Sequence, residues 1–415
     1  MRTSPVSRPE SEGARFLFYS HDALGLGHVR RNLAIARALT EIAPDVSVLV
    51  ASGSDEIDRL GGGHNIDVLK LPGMRKVSGG RYVARRLPLD AREIRALRSR
   101  LLEAAVAAFR PAVVLSDKHP LGVRGELKAA LDTARAAGAK AVLGLRDILD
   151  DPESVRKDWT EYDLFDVVEE RYDAILVYGH PALFDLVNEY ELPAVAAMRT
   201  RYCGYVATPG GSIEHPDDPL PKPVDRRRGP LVVATAGGGE DGRALLGAFT
   251  AAASDAAWEA VVIAGPHCEP DVREQLRRRA ADAGVAFYPF VANLDRWFDA
   301  ADAVVCMAGY NTVVETISRG LPVVCVPRAG PRAEQLLRAR AFADLGLMRV
   351  VEPDRLDPAT LRAEVDAALA GGRRPTNGLP HDILAFDGAR RAAEHLLELV
   401  GRHAEPNLGS GGTSR

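Results

Sequence analysis

Three stretches of this 415-residue chain carry side chains whose types and spacing could do chemistry. In the first, His21-Asp22-Ala23-Leu24-Gly25-Leu26-Gly27-His28, a histidine closes a glycine-bearing turn. An apolar run, Arg15–Ser20, precedes the turn, and Val29, Leu33, Ala36 and Leu39 follow at helical spacing. A strand, a glycine turn and a helix start offer free backbone N–H groups to an anion. An imidazole at that point can take a proton from an attacking hydroxyl, with Asp22 and His119 as reserves. The alternative is a histidine that caps the helix or packs beneath it. In the second stretch, Ala236-Gly237-Gly238-Gly239-Glu240-Asp241-Gly242 follows the apolar run Leu231–Thr235. Closely spaced glycines let N–H groups converge on a phosphate, so Gly25, Gly27, Gly237, Gly238 and Gly239 are candidate phosphate-binding positions. The third runs from Val304 to Gln335. An apolar run stops at Ala308-Gly309, a helix carries Asn311, Thr312 and Glu315, Gly320 ends it, and Leu321–Val326 is closed by Pro327. A further helix is expected to open at Pro331 and to bear Glu334 and Gln335. Thr312-x-x-Glu315 also fits a capping box, and Glu334 in a first helical turn also complements the helix dipole.

The elements that position these residues alternate. Apolar runs at Val46–Val50, Ile66–Leu69, Val113–Leu115, Ala141–Leu145 and Ala174–Tyr178 are separated by helical patterns, and the alternation resumes at Leu231–Thr235, Ala260–Ile263 and Val285–Tyr288. The class is therefore α/β, with two Rossmann-like parallel-sheet domains facing a cleft. The expected layout is a disordered start (1–14), an N-terminal acceptor-side domain (15–205) and a proline-rich linker (206–229). A C-terminal donor domain (230–380), a last helix (381–402) and a disordered tail (403–415) complete it. Ligands of open α/β sheets lie at the carboxyl ends of the strands. Asp117, which follows Val113–Leu115, and Arg146 and Asp147, which follow Ala141–Leu145, stand at that edge as acceptor-side candidates. Surface charges and caps are the alternative there, Asp151 before Pro152 being a plausible cap pair.

The run Gly309-x-x-Thr312-Val313-x-Glu315, with Gly320-Leu321-Pro322, Pro327 and Glu334-Gln335, resembles the donor-nucleotide motif of family 28 of the B-fold (GT-B) glycosyltransferases. The resemblance implies that Glu315 holds ribose hydroxyls and that Glu334 and Gln335 reach the donor sugar. It also implies that His28 faces the cleft, that Phe290-x-x-Asn293-Leu294 lies against the base, and that the last helix crosses back to the first domain. The expected activity is transfer of a sugar from a nucleoside-diphosphate sugar, UDP-linked first, to a hydroxyl acceptor, with inversion. No cofactor beyond the nucleotide sugar is expected, and no metal, since the chain has no Asp-x-Asp pair. A nucleotide-sugar 2-epimerase and a non-catalytic nucleotide-sugar binder are the competing readings. The epimerase family's Thr-Glu-Arg-Pro-Glu sequence is absent.

Composition excludes other classes. Gly25-x-Gly27-x-x-Arg30 places a bulky residue where a dinucleotide fingerprint needs its third glycine. With 53 Lys+Arg against 57 Asp+Glu, the chain carries no overall electrostatic footprint for nucleic acid. The four cysteines are scattered, and no N-terminal apolar segment suggests export, so a cytoplasmic location is expected. One interval, Lys70–Arg100, concentrates cations (Lys70, Arg75, Lys76, Arg81, Arg85, Arg86, Arg92, Arg95, Arg98, Arg100) among Met74, Tyr82, Val83 and Leu87. A solvated face is one reading. The other is peripheral contact with anionic membrane or with a lipid-linked or phosphorylated acceptor.

Overall fold

The computed structural model describes residues 13–21, 27–55, 57, 62–76, 82–207, 229–239, 241–291, 293–328, 330–374 and 383–402. Asp22, Gly25, Arg81, Glu240, positions 208–228 of the expected linker, and the terminal positions 1–12 and 403–415 lie outside the described residues.

The N-terminal half supplies β1 (Arg15–Tyr19), β2 (Ser47–Ser52), β3 (Ile66–Lys70), β4 (Met74–Lys76), β5 (Tyr82–Ala84), β6 (Val113–Asp117), β7 (Lys140–Arg146), β8 (Ala174–Tyr178) and β9 (Thr200–Tyr202). The C-terminal half supplies β10 (Leu231–Thr235), β11 (Glu259–Ile263), β12 (Ala286–Tyr288), β13 (Ala303–Cys306), β14 (Val323–Cys325) and β15 (Arg349–Val350). The first sheet has seven strands in the order β3-β2-β1-β6-β7-β8-β9, and the second has six in the order β12-β11-β10-β13-β14-β15. Every pairing within both is parallel. Helices cover both faces, which is why the central strands read as unbroken apolar runs; Phe16, Leu17, Phe18 and Tyr19 are all fully buried.

Each sheet grows outward in both directions from one pair of central strands, β1 with β6 and β10 with β13. Chain connections diverge at those pairs, leaving a crevice above their carboxyl ends. Both crevices open on the same cleft. The last helix, Gly388–Glu398, returns to the first domain and packs on the helix Gly27–Ile42; Ala392, Ala393, Leu396 and Leu397 share a core with Leu33 and Ile35. Its start demands glycine, because a Cβ on Gly388 would come within 2.6 Å of the Gly204 carbonyl oxygen. Arg402 then pairs with Asp45 at 2.8 Å. The interval after β3 departs from the alternation: β4 and β5 form an antiparallel hairpin. The helix expected to open at Pro331 begins at Glu334. Asp151 caps the helix Pro152–Glu161, accepting from the Ser154 N–H at 2.9 Å.

Candidate functional site

The parallel pairing of β1 with β6 brings together residues 89 positions apart. His28 lies in the first turn of the helix after β1, and Asp117 is the last residue of β6. Nδ1 of His28 meets Oδ2 of Asp117, while Arg31 donates from Nη2 to Oδ1 at 2.6 Å. A carboxylate only accepts, so Nδ1 carries the proton and Nε2 is left as the basic nitrogen. All three side chains are buried. Burial opposes ionisation of Asp117, but Arg31 and His28 outweigh it and hold the carboxyl well below its usual range. Burial, seconded by Arg31 and Lys118, outweighs Asp117 at His28 and pushes the imidazole down to about 4. The imidazole is therefore neutral at pH 7, in the state a base requires. Lys118 follows Asp117 with φ 74°, a left-handed backbone that costs a non-glycine residue about 1–2 kcal/mol.

Across the cleft, the loop after β10 and the loop after β13 flank the second crevice. Gly237 and Gly239 have φ 63° and 95°, and Gly265, with φ 102°, packs so closely that a Cβ would lie 2.4 Å from the Gly237 carbonyl oxygen. The helix Tyr310–Ile317 starts from Gly309 with its first N–H groups toward the cleft mouth, where a diphosphate would complement the dipole. Ala308 takes φ 59°, and Arg338 holds its carbonyl through Nη1 at 3.0 Å.

The cleft is a cavity of about 200 Å³ walled by both domains: His28, Arg30, Arg31 and Arg146 from the first, and Gly237, Gly238, Gly309, Asn311 and Thr312 from the second. Asn311 Nδ2 donates to the Gly27 carbonyl oxygen at 3.2 Å across it. Phe290 and Leu294, expected against a base, line it too.

Other sequence candidates fall elsewhere. Glu315 is 1% exposed, and Arg30, which lines the cleft, reaches Glu315 at 3.7 Å and Asp295 at 3.6 Å. The capping-box alternative is excluded, because Gly309 is the N-cap and Thr312 is already inside the helix. Glu334 and Gln335 hold a neighbouring loop: Glu334 accepts from Arg328 Nη2 at 3.0 Å, and Gln335 accepts from the Arg328 backbone N–H at 3.0 Å. His119 is turned from the cleft, its Nδ1 accepting from the Leu121 N–H at 3.2 Å. Asp117 is His28's partner rather than a group facing an acceptor. Asp147, read as acceptor-side, instead forms a buried pair with Arg338 of the other domain, at 2.6 and 2.9 Å, because its carboxylate lies where the two domains dock. Arg30, Arg31 and Arg338 were not singled out from the sequence. The three-residue spacing of His28 and Arg31, which places them on one helix face, was the available signal. Arg338 had none, its partner lying 191 positions away.

Residues 244–378, which contain the helix Tyr310–Ile317 and the loops on either side of it, match the glycosyltransferase family 28 C-terminal domain. The chain is 27% identical over 418 aligned residues to the UDP-N-acetylglucosamine–N-acetylmuramyl-(pentapeptide) pyrophosphoryl-undecaprenol N-acetylglucosamine transferase of Xanthomonas axonopodis pv. citri (strain 306). That match covers 94% of this chain and 83% of the relative. The chain is a family 28-like GT-B glycosyltransferase. The enzyme of the same name from Mycobacterium bovis (strain BCG / Pasteur 1173P2) is 31% identical over 143 residues, spanning 34% of this glycosyltransferase and 35% of the relative. The crystal structure of the calicheamicin glycosyltransferase CalG4 shares the fold with a TM-score of 0.59 at 18% identity, covering 95% of this chain and 100% of that one.

In this glycosyltransferase the basic interval is not one open face. Asp55 gathers Lys70, Arg85 and Arg86 at 3.2, 2.8 and 3.3 Å. Arg98 is fully buried and donates to Glu126 through Nε at 2.7 Å and Nη2 at 2.6 Å. Arg75, Arg92, Arg95 and Arg100 remain exposed, along with Leu87 and Leu97 of the same interval. Among the described residues no helix is long and apolar enough to cross a membrane.

Proposed function

We propose that the glycosyltransferase moves a sugar from a nucleoside-diphosphate sugar, with a UDP-sugar as the first donor to test, onto an acceptor hydroxyl with inversion at the anomeric carbon. The observation that carries the reading is the His28–Asp117 pair set opposite the glycine loops and the helix start at Gly309. Nε2 of His28 removes the hydroxyl proton as the acceptor oxygen bonds to the anomeric carbon. The bond to the diphosphate breaks on the opposite face of the sugar. Asp117 stabilises the imidazolium formed, and Arg31 keeps Asp117 ionised. The departing diphosphate gathers charge beside the N–H groups of Gly237, Gly238 and the first turn after Gly309, which supply stabilisation in place from the start. On this account neither metal nor cofactor is needed.

A UDP donor is supported by the name of the Xanthomonas relative. The same name supports a lipid-linked or phosphorylated acceptor for this chain, with the exposed cations of Lys70–Arg100 touching anionic membrane at its periphery. Four buried free cysteines fit a reducing, cytoplasmic location. The test is a thermal-shift panel of UDP-, GDP- and dTDP-sugars, followed by release of nucleoside diphosphate with and without chelator. Donor-specific stabilisation and chelator-insensitive release that depends on His28 are expected. A stabilising donor with no release from any candidate acceptor would make the protein a binder instead.

A further inference from the structure

The first domain lends the cleft three arginines, Arg30, Arg31 and Arg146. Two of them face carboxylates: Arg31 holds Asp117 at 2.6 Å, and Arg30 stands 3.7 and 3.6 Å from Glu315 and Asp295. Arg146, the last residue of β7, makes no hydrogen bond or ion pair with any of the described residues, and its Nε is shut off from water without a partner. Its charged neighbours are Arg31 and Asp147 of its own domain and Arg338 and Glu334 of the other. The two carboxylates among them are already engaged, Asp147 by Arg338 at 2.6 Å and Glu334 by Arg328 at 3.0 Å. Burial, reinforced by Arg338 and Arg31, outweighs Glu334 and Asp147 and pulls the Arg146 guanidinium down to about 10, so it is still a cation at pH 7. A half-buried cation with two cationic neighbours and no counter-ion of its own weakens the fold. Its retention points to an anion that arrives with a ligand.

The position of Arg146 narrows which part of the ligand that is. Across the cleft, Gly237, Gly238 and the helix start at Gly309 offer N–H groups to a diphosphate, and Phe290 and Leu294 offer an apolar wall to a nucleobase. Arg146 stands on the wall of the His28 imidazole, and the same side chain also lines a second cavity beside the cleft. It therefore flanks the group being transferred rather than the diphosphate. We propose that Arg146 binds a carboxylate on the transferred sugar, so that the donor is a nucleoside-diphosphate hexuronate. The inference rests on the transferase reading and names the class of sugar that reading leaves open. One guanidinium balances one charge, and its planar fork meets the two oxygens of a carboxylate with two parallel N–H bonds. In a hexuronate the carboxylate lies beyond the ring oxygen from the anomeric carbon, so the contact fixes the sugar without entering the bond change. A neutral hexose would leave the cation uncompensated.

The experiment is calorimetric titration of the full-length protein with UDP, GDP and three pairs of donors: UDP-glucose and UDP-glucuronate, UDP-galactose and UDP-galacturonate, GDP-mannose and GDP-mannuronate. In at least one pair the uronate is expected to bind about 10-fold tighter than its neutral partner, or more. Arg146→Gln should erase that margin while affinity for the nucleoside diphosphate alone stays within about two-fold. Its melting temperature should hold or rise, because no counter-charge is stranded. Arg146→Lys, which keeps the charge and loses the fork, should retain part of the margin, and with the wild-type comparison it keeps the test open should Arg146→Gln fail to fold. Uronates that bind the wild type no tighter than their neutral partners overturn the assignment, as does a margin that survives in Arg146→Gln. Equal weakening of the nucleoside diphosphate and every sugar in that variant also overturns it, and makes Arg146 a counter-charge for the diphosphate. Failure of the transferase reading looks different: no nucleotide binds at all, or nucleotide sugars bind and no His28-dependent release follows.

Discussion

At the scale of single residues, the site depends on one carboxylate that serves two partners. Asp117 orients His28 and neutralises Arg31, so substitutions at the two ends of the pair should differ. On the proposed reading, in which the donor is held mainly by the other domain, His28→Ala is expected to lower turnover roughly 10²–10⁴-fold with donor affinity nearly constant. Asp117→Asn should lose comparable activity and also stability, by about 3–5 kcal/mol, because Arg31 is left buried without its counter-charge. Equal melting temperatures for the two variants would contradict the shared-carboxylate account. The pH dependence has a definite sign. His28 and His119 are each pushed down to about 4, first by burial, so the unfolded chain binds more protons than the folded one between about 6.5 and 4. Stability should fall as pH drops through that window and be restored above it. The depressed carboxyl of Asp117 acts later: its contribution is complete above about 3.9 and is lost only as pH falls further. Urea midpoints at pH 7, 6 and 5 should decline, and decline less in His119→Asn. A midpoint flat across that range would refute neutral burial of these imidazoles.

At the scale of elements, two glycines of the second crevice, the proposed donor side, should separate folding from binding. Gly265→Ala forces a Cβ against the Gly237 carbonyl at φ 102°, and should lower both melting temperature and nucleotide affinity. Gly309→Ala meets nothing within 4 Å at φ −61°, so stability should be kept while a diphosphate seated on that helix start is crowded out. Full donor affinity in Gly309→Ala would move the diphosphate elsewhere. Glu315→Ala, which removes a charged acceptor reached by Arg30, should weaken nucleotide binding by about 1.5–3 kcal/mol if the carboxylate holds the ribose. The central strands were legible because parallel strands buried on both faces write continuous apolar runs: Ala174–Tyr178 and Leu231–Thr235 were read with the bounds observed. The last helix, expected within 381–402, spans Gly388–Glu398 and was legible for a different reason, apolar residues recurring at helical spacing. The edge strands Thr200–Tyr202 and Arg349–Val350 were not, being three and two residues long with exposed positions. Nor was the role of Asp117, since the partner of His28 is set by which strands are neighbours, and strand order is not written locally. The basic interval could not be resolved into a surface part and a paired part from the sequence, because residues close in sequence part in space, Arg98 inward to Glu126 and Lys70, Arg85 and Arg86 onto Asp55.

At the scale of the whole molecule, the two domains meet along a cleft of about 200 Å³ and are held by contacts of different strength. Not every cross-domain contact can yield at similar cost. Arg30 meets Glu315 and Asp295 only at 3.7 and 3.6 Å, beyond hydrogen-bond distance, and is well placed to let go. Arg338 is fully buried and gives Asp147 bonds of 2.6 and 2.9 Å, with further N–H groups on the carbonyls of Ile148 and Ala308. Breaking such a pair strands a charge in a dry interface at about 3–5 kcal/mol, so the pair should hold where the Arg30 contacts yield. Arg338→Met should therefore lower the melting temperature markedly, as should Asp147→Leu, while the double variant recovers most of the loss because no unpaired charge remains. Turnover should not recover with it. The Ala308 carbonyl loses its donor in the double variant, and the left-handed residue before Gly309 is no longer held in place. A double variant that regains both stability and turnover would reduce the pair to a structural ion pair, and additive losses of stability would show that the two charges do not depend on each other.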